Sequence, residues 1–296
     1  MKGLKKIALV TAIAAAPFAA QAEMTALNDS AMGNVTGQAG VTIELETQVS
    51  IGQFKYTDTD EGGSFNVNGI VLGGAGVTAD GAAASYGSLL DQLKIDIDLN
   101  AEGDAVIHVG TLDSNPIDWG FTANSMTLEG TSGESTTLIS NMSGWGNLAR
   151  LDITVDTADK GTGDGSLNIQ AAFDVQDMDF DVPFLAVGVQ DMSITGAGYI
   201  DLNGDGANDF DLDGSGAIDT QAEQVAAGYA NVDLSVYKGS GLGPVATAKA
   251  DVLRVDVNNV VMDVNVGGVL IGGTSIGSVA LDNLAITNTK LAVYGH

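Results

Sequence analysis

Residues 93–99 read Leu-Lys-Ile-Asp-Ile-Asp-Leu, and this alternation of apolar and charged side chains decides the fold class. Successive side chains of a β-strand point to opposite faces, so a period of two collects the apolar groups on one face and the acids on the other. Clusters of Gly, Asn, Asp and Ser separate such stretches and suit tight turns. The same alternation recurs at residues 41–46, 151–156, 178–182, 232–236 and 253–257.

Helix is predicted to be a minor component of the chain. Only two short segments, around residues 86–92 and 220–227, have helical character. Near the C-terminus, short apolar stretches follow one another after two or three residues, which fits stacked rungs or a meander. We therefore expect an all-β fold, either an elongated β-solenoid or a long meandering sheet, with a β-sandwich or barrel as the alternative.

The first 22 residues have the pattern of a cleaved secretory signal peptide. Three lysines precede an apolar run at residues 7–20, which ends in the small-residue exit Ala20-Gln21-Ala22. The run is too short for a membrane-spanning helix, and we expect none later in the chain. The sequence thus predicts export to the periplasm, cell surface or extracellular space. A polar segment at 23–40 and an all-β domain at 41–296 follow.

Charge and composition exclude several classes of function. The 296 residues include 38 Asp+Glu against 11 Lys+Arg, a net charge of −27, so there is no basic stripe for nucleic acid. The absence of cysteine excludes disulfides, thiolate nucleophiles and zinc–cysteine sites. His108 lies at a strand position, where pairing with a neighbour is the expected role, and carboxylate pairs such as Asp179 and Asp181 follow from the alternation. We predict that the protein is not an enzyme.

Residues 201–219 contain two copies of a calcium-loop pattern, ten residues apart. Oxygen side chains occupy positions 1, 3, 5 and 9 of each copy, and glycine at position 6 permits the sharp turn around a hard cation. Oxygen-only ligands in a flexible loop favour Ca²⁺ over Mg²⁺. The predicted ligands are Asp201, Asn203, Asp205 and Asp209 in the first copy and Asp211, Asp213, Ser215 and Asp219 in the second.

This segment resembles the EF-hand-like calcium loops of tandem Asp-rich repeats in secreted bacterial proteins, including dockerin-type and thrombospondin type 3-like repeats. It departs from a standard EF-hand at position 12, which is Leu212 or Ala222 instead of Glu, with the acids Asp213 and Glu223 one place later. The departure predicts an altered last ligand and a weak affinity, on the order of 10⁻⁴ to 10⁻³ M. We expect calcium to stabilise the loop at 201–223, the alternative being a solvated acidic turn without an ion.

A second resemblance lies just after the signal peptide. Residues 27–40, LNDSAMGNVTGQAG, are similar to an LxDxxMxxVxGQxG element of exported Gram-negative β-rich proteins, some of whose relatives are described as components of pilus or filament systems. The closing residues 291–296, LAVYGH, also resemble the carboxyl end of that group. The resemblance implies an exported surface protein and transfers no catalytic residues.

Two functions from different classes follow from these observations. The sequence favours a calcium-stabilised, non-catalytic structural or interaction protein whose partners are other surface or filament proteins or further copies of itself. Exposed sheet edges that accept a neighbour's strand would provide the mechanism of assembly. The alternative is a calcium-dependent carbohydrate-binding or polysaccharide-acting protein. For that function Trp119 and Trp145, in predicted glycine-flanked turns, are the candidate sugar-stacking residues.

Overall fold

A computed structural model describes residues 40–77, 86–113, 115–157, 165–199, 208, 210, 215, 217–244 and 248–295. Within these residues thirteen strands form one antiparallel sheet, which confirms the all-β prediction. A single α-helix, α1 (Gln221–Gly228), and a 3₁₀ turn (Pro183–Leu185) complete the regular structure of the described part. The strands are β1 (Val41–Thr47), β2 (Val49–Thr57), β3 (Ser64–Gly73), β4 (Leu90–Leu99), β5 (Ala105–Thr111), β6 (Ile117–Glu129), β7 (Ser135–Asp156), β8 (Ser166–Phe173), β9 (Asp177–Val182), β10 (Val187–Thr195), β11 (Ala230–Gly239), β12 (Val252–Ile271) and β13 (Thr274–Val293).

The strands line up as eight rows that run alternately in opposite directions. β7, β12 and β13 each span a whole row, with 22, 20 and 20 residues. Each of the remaining five rows consists of two strands placed end to end. For example, β8 and β9 both pair with β7, and β10 and β11 both pair with β12. The rows follow in the order β1+β2, β4+β3, β5+β6, β7, β8+β9, β11+β10, β12 and β13.

Of the architectures left open by the sequence, the structure is the long meandering sheet. Each row pairs antiparallel with the row before it in the chain, whereas the rungs of a solenoid stack in parallel. The outer rows, β1+β2 and β13, each pair on one side only among the described residues, so the sheet is open. No described helix is long and apolar enough to cross a membrane.

The strand register gives the sheet one apolar and one polar face. Cross-strand partners in seven consecutive rows are Val41, Ile97, Ile107, Ile153, Ile169, Leu234 and Val257. One position along, on the opposite face, the partners are Thr42, Asp96, His108, Asp152, Gln170, Asp233 and Asn259. The alternation in the sequence is therefore expressed as two continuous surfaces, the apolar face and the polar face.

Bulges keep the two faces continuous along the long rows. A slip of one residue would turn every following side chain to the other face, and a bulge absorbs the extra residue. Beside Asn141, at φ 54°, β7 pairs Ser140 with Asp181 and Ser143 with Asp179, so both serines stay on the polar face. Glycine, Asn and Asp tolerate this left-handed conformation best. Other strand residues with positive φ are Gly69, Gln92, Asp191, Gly277, Asn283 and Asn288.

Inserted segments cover part of the polar face, and the apolar face is most exposed at its outer rows. A Cβ on Gly120, which faces the polar side, would meet Gly74 O at 2.9 Å, because Gly74 and Ala75 lie over it just after the end of β3. Asn66 and Ser235 of the polar face are accordingly buried, at 0 % and 2 % exposure. On the apolar face, large side chains remain exposed at both outer rows, as at Phe54 with 53 % and Val293 with 54 %.

The main cluster of buried apolar residues lies on the polar face, beneath the β10–β11 connection. Val261 of β12 is 1 % exposed and contacts Ala197 and Phe210 of that connection. Ile218 and two alanines of helix α1 pack around this cluster. The connection that carries the predicted calcium loop is thus attached to β12, the row next to the outer row β13.

Of the two helices predicted from the sequence, one is confirmed and one is wrong. Helix α1 occupies the predicted stretch near residues 220–227. Residues 86–92 instead form a turn, a bridge from Ser88 to Gly74, and the start of β4 at Leu90. Pairing with neighbouring strands overrides the local helical preference of this short stretch.

Candidate functional site

The predicted calcium ligands are only partly described by the structure. Ser215 and Asp219, both of the second copy, lie among the described residues and are exposed. Outside the described residues lie Asp201, Asn203, Asp205, Asp209, Asp211 and Asp213.

The second predicted loop leads directly into helix α1. The Ser215 hydroxyl accepts a hydrogen bond from the Ala217 N–H at 3.3 Å, a local turn of the kind that calcium loops contain. Asp219 immediately precedes Thr220, the N-cap of the helix. The last predicted ligand is therefore held next to the positive end of the helix dipole.

Glu223 forms a capping box with Thr220 at the start of helix α1. Its Oε2 accepts hydrogen bonds from the Thr220 N–H at 2.8 Å and the Asp219 N–H at 3.1 Å. In return, the Glu223 N–H donates to the Thr220 hydroxyl at 3.3 Å. Glu223 is 0 % exposed, although the sequence suggested only an acid near the ion. The Thr-x-x-Glu spacing is the sequence signal that identifies this role.

An apolar side chain anchors the acidic segment at its centre. Phe210 lies between two predicted ligands, Asp209 and Asp211, yet it is only 8 % exposed in the cluster with Val261. Asn208 supports it, since its Oδ1 accepts from the Phe210 N–H at 3.2 Å and its Nδ2 donates to Gly198 O at 3.1 Å. The acidic segment is thereby attached to β12.

A second acidic group, absent from the sequence predictions, lies on the polar face between β9 and β10. Asp177, Asp179 and Asp191 each offer a carboxylate oxygen, and these oxygens lie within 4.8 Å of one another. The Asp191 N–H also donates to Asp179 Oδ1 at 2.8 Å. Oxygen ligands of this kind suit a hard cation such as Ca²⁺. Asp181, which the sequence grouped with Asp179, instead accepts from Asn141 Nδ2 at 2.9 Å.

Crowding of these carboxylates disfavours ionisation of Asp177. Partial burial, followed by the charge of Asp179, raises the pKa of Asp177 above its usual value, and the Tyr86 hydroxyl opposes the rise by donating to it at 3.3 Å. Burial, followed by the charge of Asp177, also raises the pKa of Tyr86. The group therefore carries a repulsion that protonation or a bound cation would relieve.

Replacing Asp177 with asparagine is expected to stabilise the metal-free protein slightly at neutral pH. A carboxyl with a raised folded pKa binds its proton more tightly in the folded state, so acidification through that pKa stabilises the wild type. The variant lacks this gain. Because Asp177 is only partly buried, the difference should be at most about 0.5 kcal/mol. Melts in EDTA across the acidic range measure it, and a variant less stable than the wild type at neutral pH would contradict the repulsion.

The remaining candidates from the sequence lie in strands. His108 Nδ1 contacts Asp152 Oδ1 at 2.5 Å across β5 and β7, as expected for a strand histidine. Trp119 and Trp145 were predicted to lie in turns, and this is wrong, since they belong to β6 and β7. Trp119 pairs with Gly146 and Gly120 with Trp145, so the two indoles project from opposite faces of the sheet. They do not form a shared stacking platform.

Comparison with known proteins adds a family match for the first third of the chain. The model of a family of unknown function, DUF6160, matches residues 1–101, which extend from the N-terminus through β4. No curated protein and no solved structure matches the chain.

Proposed function

We propose that this protein is an exported, non-catalytic structural protein that assembles through its open β-sheet, at the cell surface or in the periplasm. The observation that carries the proposal is the exposed apolar side chains of the two outer rows, each of which pairs on one side only among the described residues. Large contiguous apolar surfaces on soluble proteins mark sites of interaction. The signal-peptide pattern supports export, and the resemblance to relatives of pilus or filament systems supports a role in such an assembly.

The length of the rows supports a protein partner for the apolar face. A row of 20 residues, such as β13, extends about 66 Å at 3.3 Å per residue. The hydrocarbon core of a bilayer is only about 30 Å thick. Apolar side chains continue along the row from Val279 to Val293, so a surface of comparable length, such as another β-sheet, matches it better than lipid does.

The direction of the outer rows supports assembly by strand addition. The eight rows alternate in direction, so β1+β2 runs opposite to β13. Unpaired backbone groups at both edges can accept an antiparallel strand from a neighbour. Because each copy has two such edges, pairing at both of them would extend the assembly beyond a closed pair.

We further propose that calcium stabilises the β10–β11 connection. With an affinity of about 10⁻⁴ to 10⁻³ M, 10 mM calcium should stabilise the protein by about 1.4–2.7 kcal/mol. Thermal and denaturant melts in EDTA, calcium and magnesium measure the effect. Asp213→Asn should abolish most of it, whereas Asp177→Asn should leave it intact. Loss of the effect in Asp177→Asn alone would assign the ion to the β9–β10 group instead.

Export and assembly are tested together on the full chain expressed in a Gram-negative host. The protein recovered from the periplasm or medium should begin at Glu23, and electron microscopy should show ordered polymers. Protein retained in the cytoplasm, or exported protein that forms no ordered particle, would contradict the proposal. A calcium-dependent signal on a glycan array without polymers would favour the carbohydrate-binding alternative.

A further inference from the structure

We propose that β13 pairs with β13 of a second copy, antiparallel about a twofold axis at Ile286. This inference rests on the proposed function and specifies one of its interfaces. β13 offers the longest uninterrupted edge of the sheet, 20 residues that pair with β12 on one side only among the described residues. Its side chains are exposed along almost the whole strand.

Charge complementarity selects this register. β13 contains one acid, Asp282, and one base, Lys290, each four positions from Ile286. A twofold axis at Ile286 therefore places Asp282 of each copy opposite Lys290 of the other and forms two ion pairs at once. Opposite charges directly across an antiparallel pair are stabilising. β13 itself has no net charge, whereas the whole chain has a net charge of −27. Two β13 strands can therefore approach each other without the repulsion that acts between the chains as a whole.

Both charges are available for a partner. Neither Asp282 nor Lys290 forms an ion pair with another described residue. Asp256, the cross-strand neighbour of Lys290 on β12, is already bound by Arg254 Nη2 at 2.8 Å and the Tyr237 hydroxyl at 2.9 Å. Lys290 is thus left at the edge without a dedicated acid in the described part of its own copy.

The same register matches the apolar side chains. Leu281 falls opposite Leu291, and Val279 opposite Val293, with Ile286 meeting its own copy at the axis. These five side chains are 40–54 % exposed in the single chain, so they are free to pack against a neighbour: Val279 47 %, Leu281 47 %, Ile286 40 %, Leu291 43 % and Val293 54 %. Cross-strand apolar pairs of this kind stabilise a sheet.

The bulges of β13 also coincide in this register. Asn283 and Asn288 have φ of 54° and 53°, and they lie on either side of Ile286. The twofold axis places Asn283 of one copy opposite Thr289 of the other, next to its Asn288. Each bulge therefore meets a bulge, so apolar groups remain on one face on both sides of the axis.

A charge-swap series on the full chain tests the register. Lys290→Glu or Asp282→Lys replaces two attractive pairs with two repulsive ones and should weaken self-association at least about tenfold. The double variant Asp282→Lys/Lys290→Glu restores opposite charges and should recover the wild-type dissociation constant within about threefold. Failure of the double variant to recover, while both single variants remain weak, would overturn the register.

Cysteine cross-linking provides an independent measurement, because the chain contains no cysteine. Ile286→Cys should form a disulfide-linked dimer on mild oxidation, and a mixture of Val279→Cys with Val293→Cys should cross-link while each variant alone does not. Thr274→Cys, on the same strand but far from the axis, is the matched control. Linkage of Ile286→Cys to Val49→Cys on the β1+β2 row would overturn this pairing and leave the proposed function intact. A wild-type chain that never self-associates would contradict both.

Discussion

Replacing Glu223 with alanine is expected to lower the free energy of unfolding by about 3 kcal/mol. The substitution removes a fully buried acceptor from the backbone N–H groups of Asp219 and Thr220, and hydrogen bonds to a charged group contribute about 1.5–3 kcal/mol each. Chemical denaturation in EDTA measures the loss without any contribution from calcium. Because helix α1 packs on Val261, the whole transition should shift.

Two further variants show whether the loss arises from the cap. Thr220→Ala removes the reciprocal half of the capping box and should cost about 1 kcal/mol. Gln224→Ala changes an exposed neighbour on the same helix and should stay within about 0.5 kcal/mol of the wild type. A Glu223→Ala loss no greater than that of Gln224→Ala would show that the capping box does not stabilise the fold.

Replacing Gly196 with alanine is expected to destabilise the protein by about 2–4 kcal/mol. A Cβ at this position would lie 2.1 Å from Ala227 O and 2.5 Å from Tyr229 N, both rigid backbone atoms. The segment must then move away from helix α1, which breaks the hydrogen bonds from Gly196 N to Gly228 O and from Gly198 N to Ala227 O, each 3.1 Å long. Overpacking and lost hydrogen bonds add in the same direction.

Gly228→Ala is the matched control for this prediction. Gly228 is the last residue of helix α1, and no atom lies within 4 Å of a Cβ built on it. Alanine should therefore be neutral or stabilise the helix by up to about 1 kcal/mol. Equal destabilisation by the two variants would contradict the close approach of Gly196 to the helix.

The alternating stretches were sufficient to predict the fold class and the composition of both faces. In residues 93–99 every apolar side chain lies on the apolar face, because the period of a strand is set by backbone geometry and needs no information from elsewhere. The number of rows and the open edges were not predictable in this way. They depend on which strands pair, and alternation alone is compatible with several pairings.

The acidic group at Asp177, Asp179 and Asp191 shows the limit of reading motifs along the chain. Asp177 and Asp179 follow the two-residue period of β9. Asp191 lies on the next strand, β10, where its backbone has a positive φ of 51°. No local sequence pattern predicts the pairing of β9 with β10 or the bulge at Asp191. Glu223 is the opposite case, since its Thr-x-x-Glu signature is local and was available in the sequence.

Sedimentation velocity of the full-length exported protein, over about a hundredfold range of concentration in calcium, tests the central claim most directly. Assembly through the open sheet predicts species larger than the monomer that increase with concentration. Added salt should favour them, because it screens the repulsion between the strongly acidic chains. A single monomeric species at every concentration and salt would contradict the account, since the apolar face and both edges would then remain exposed to water.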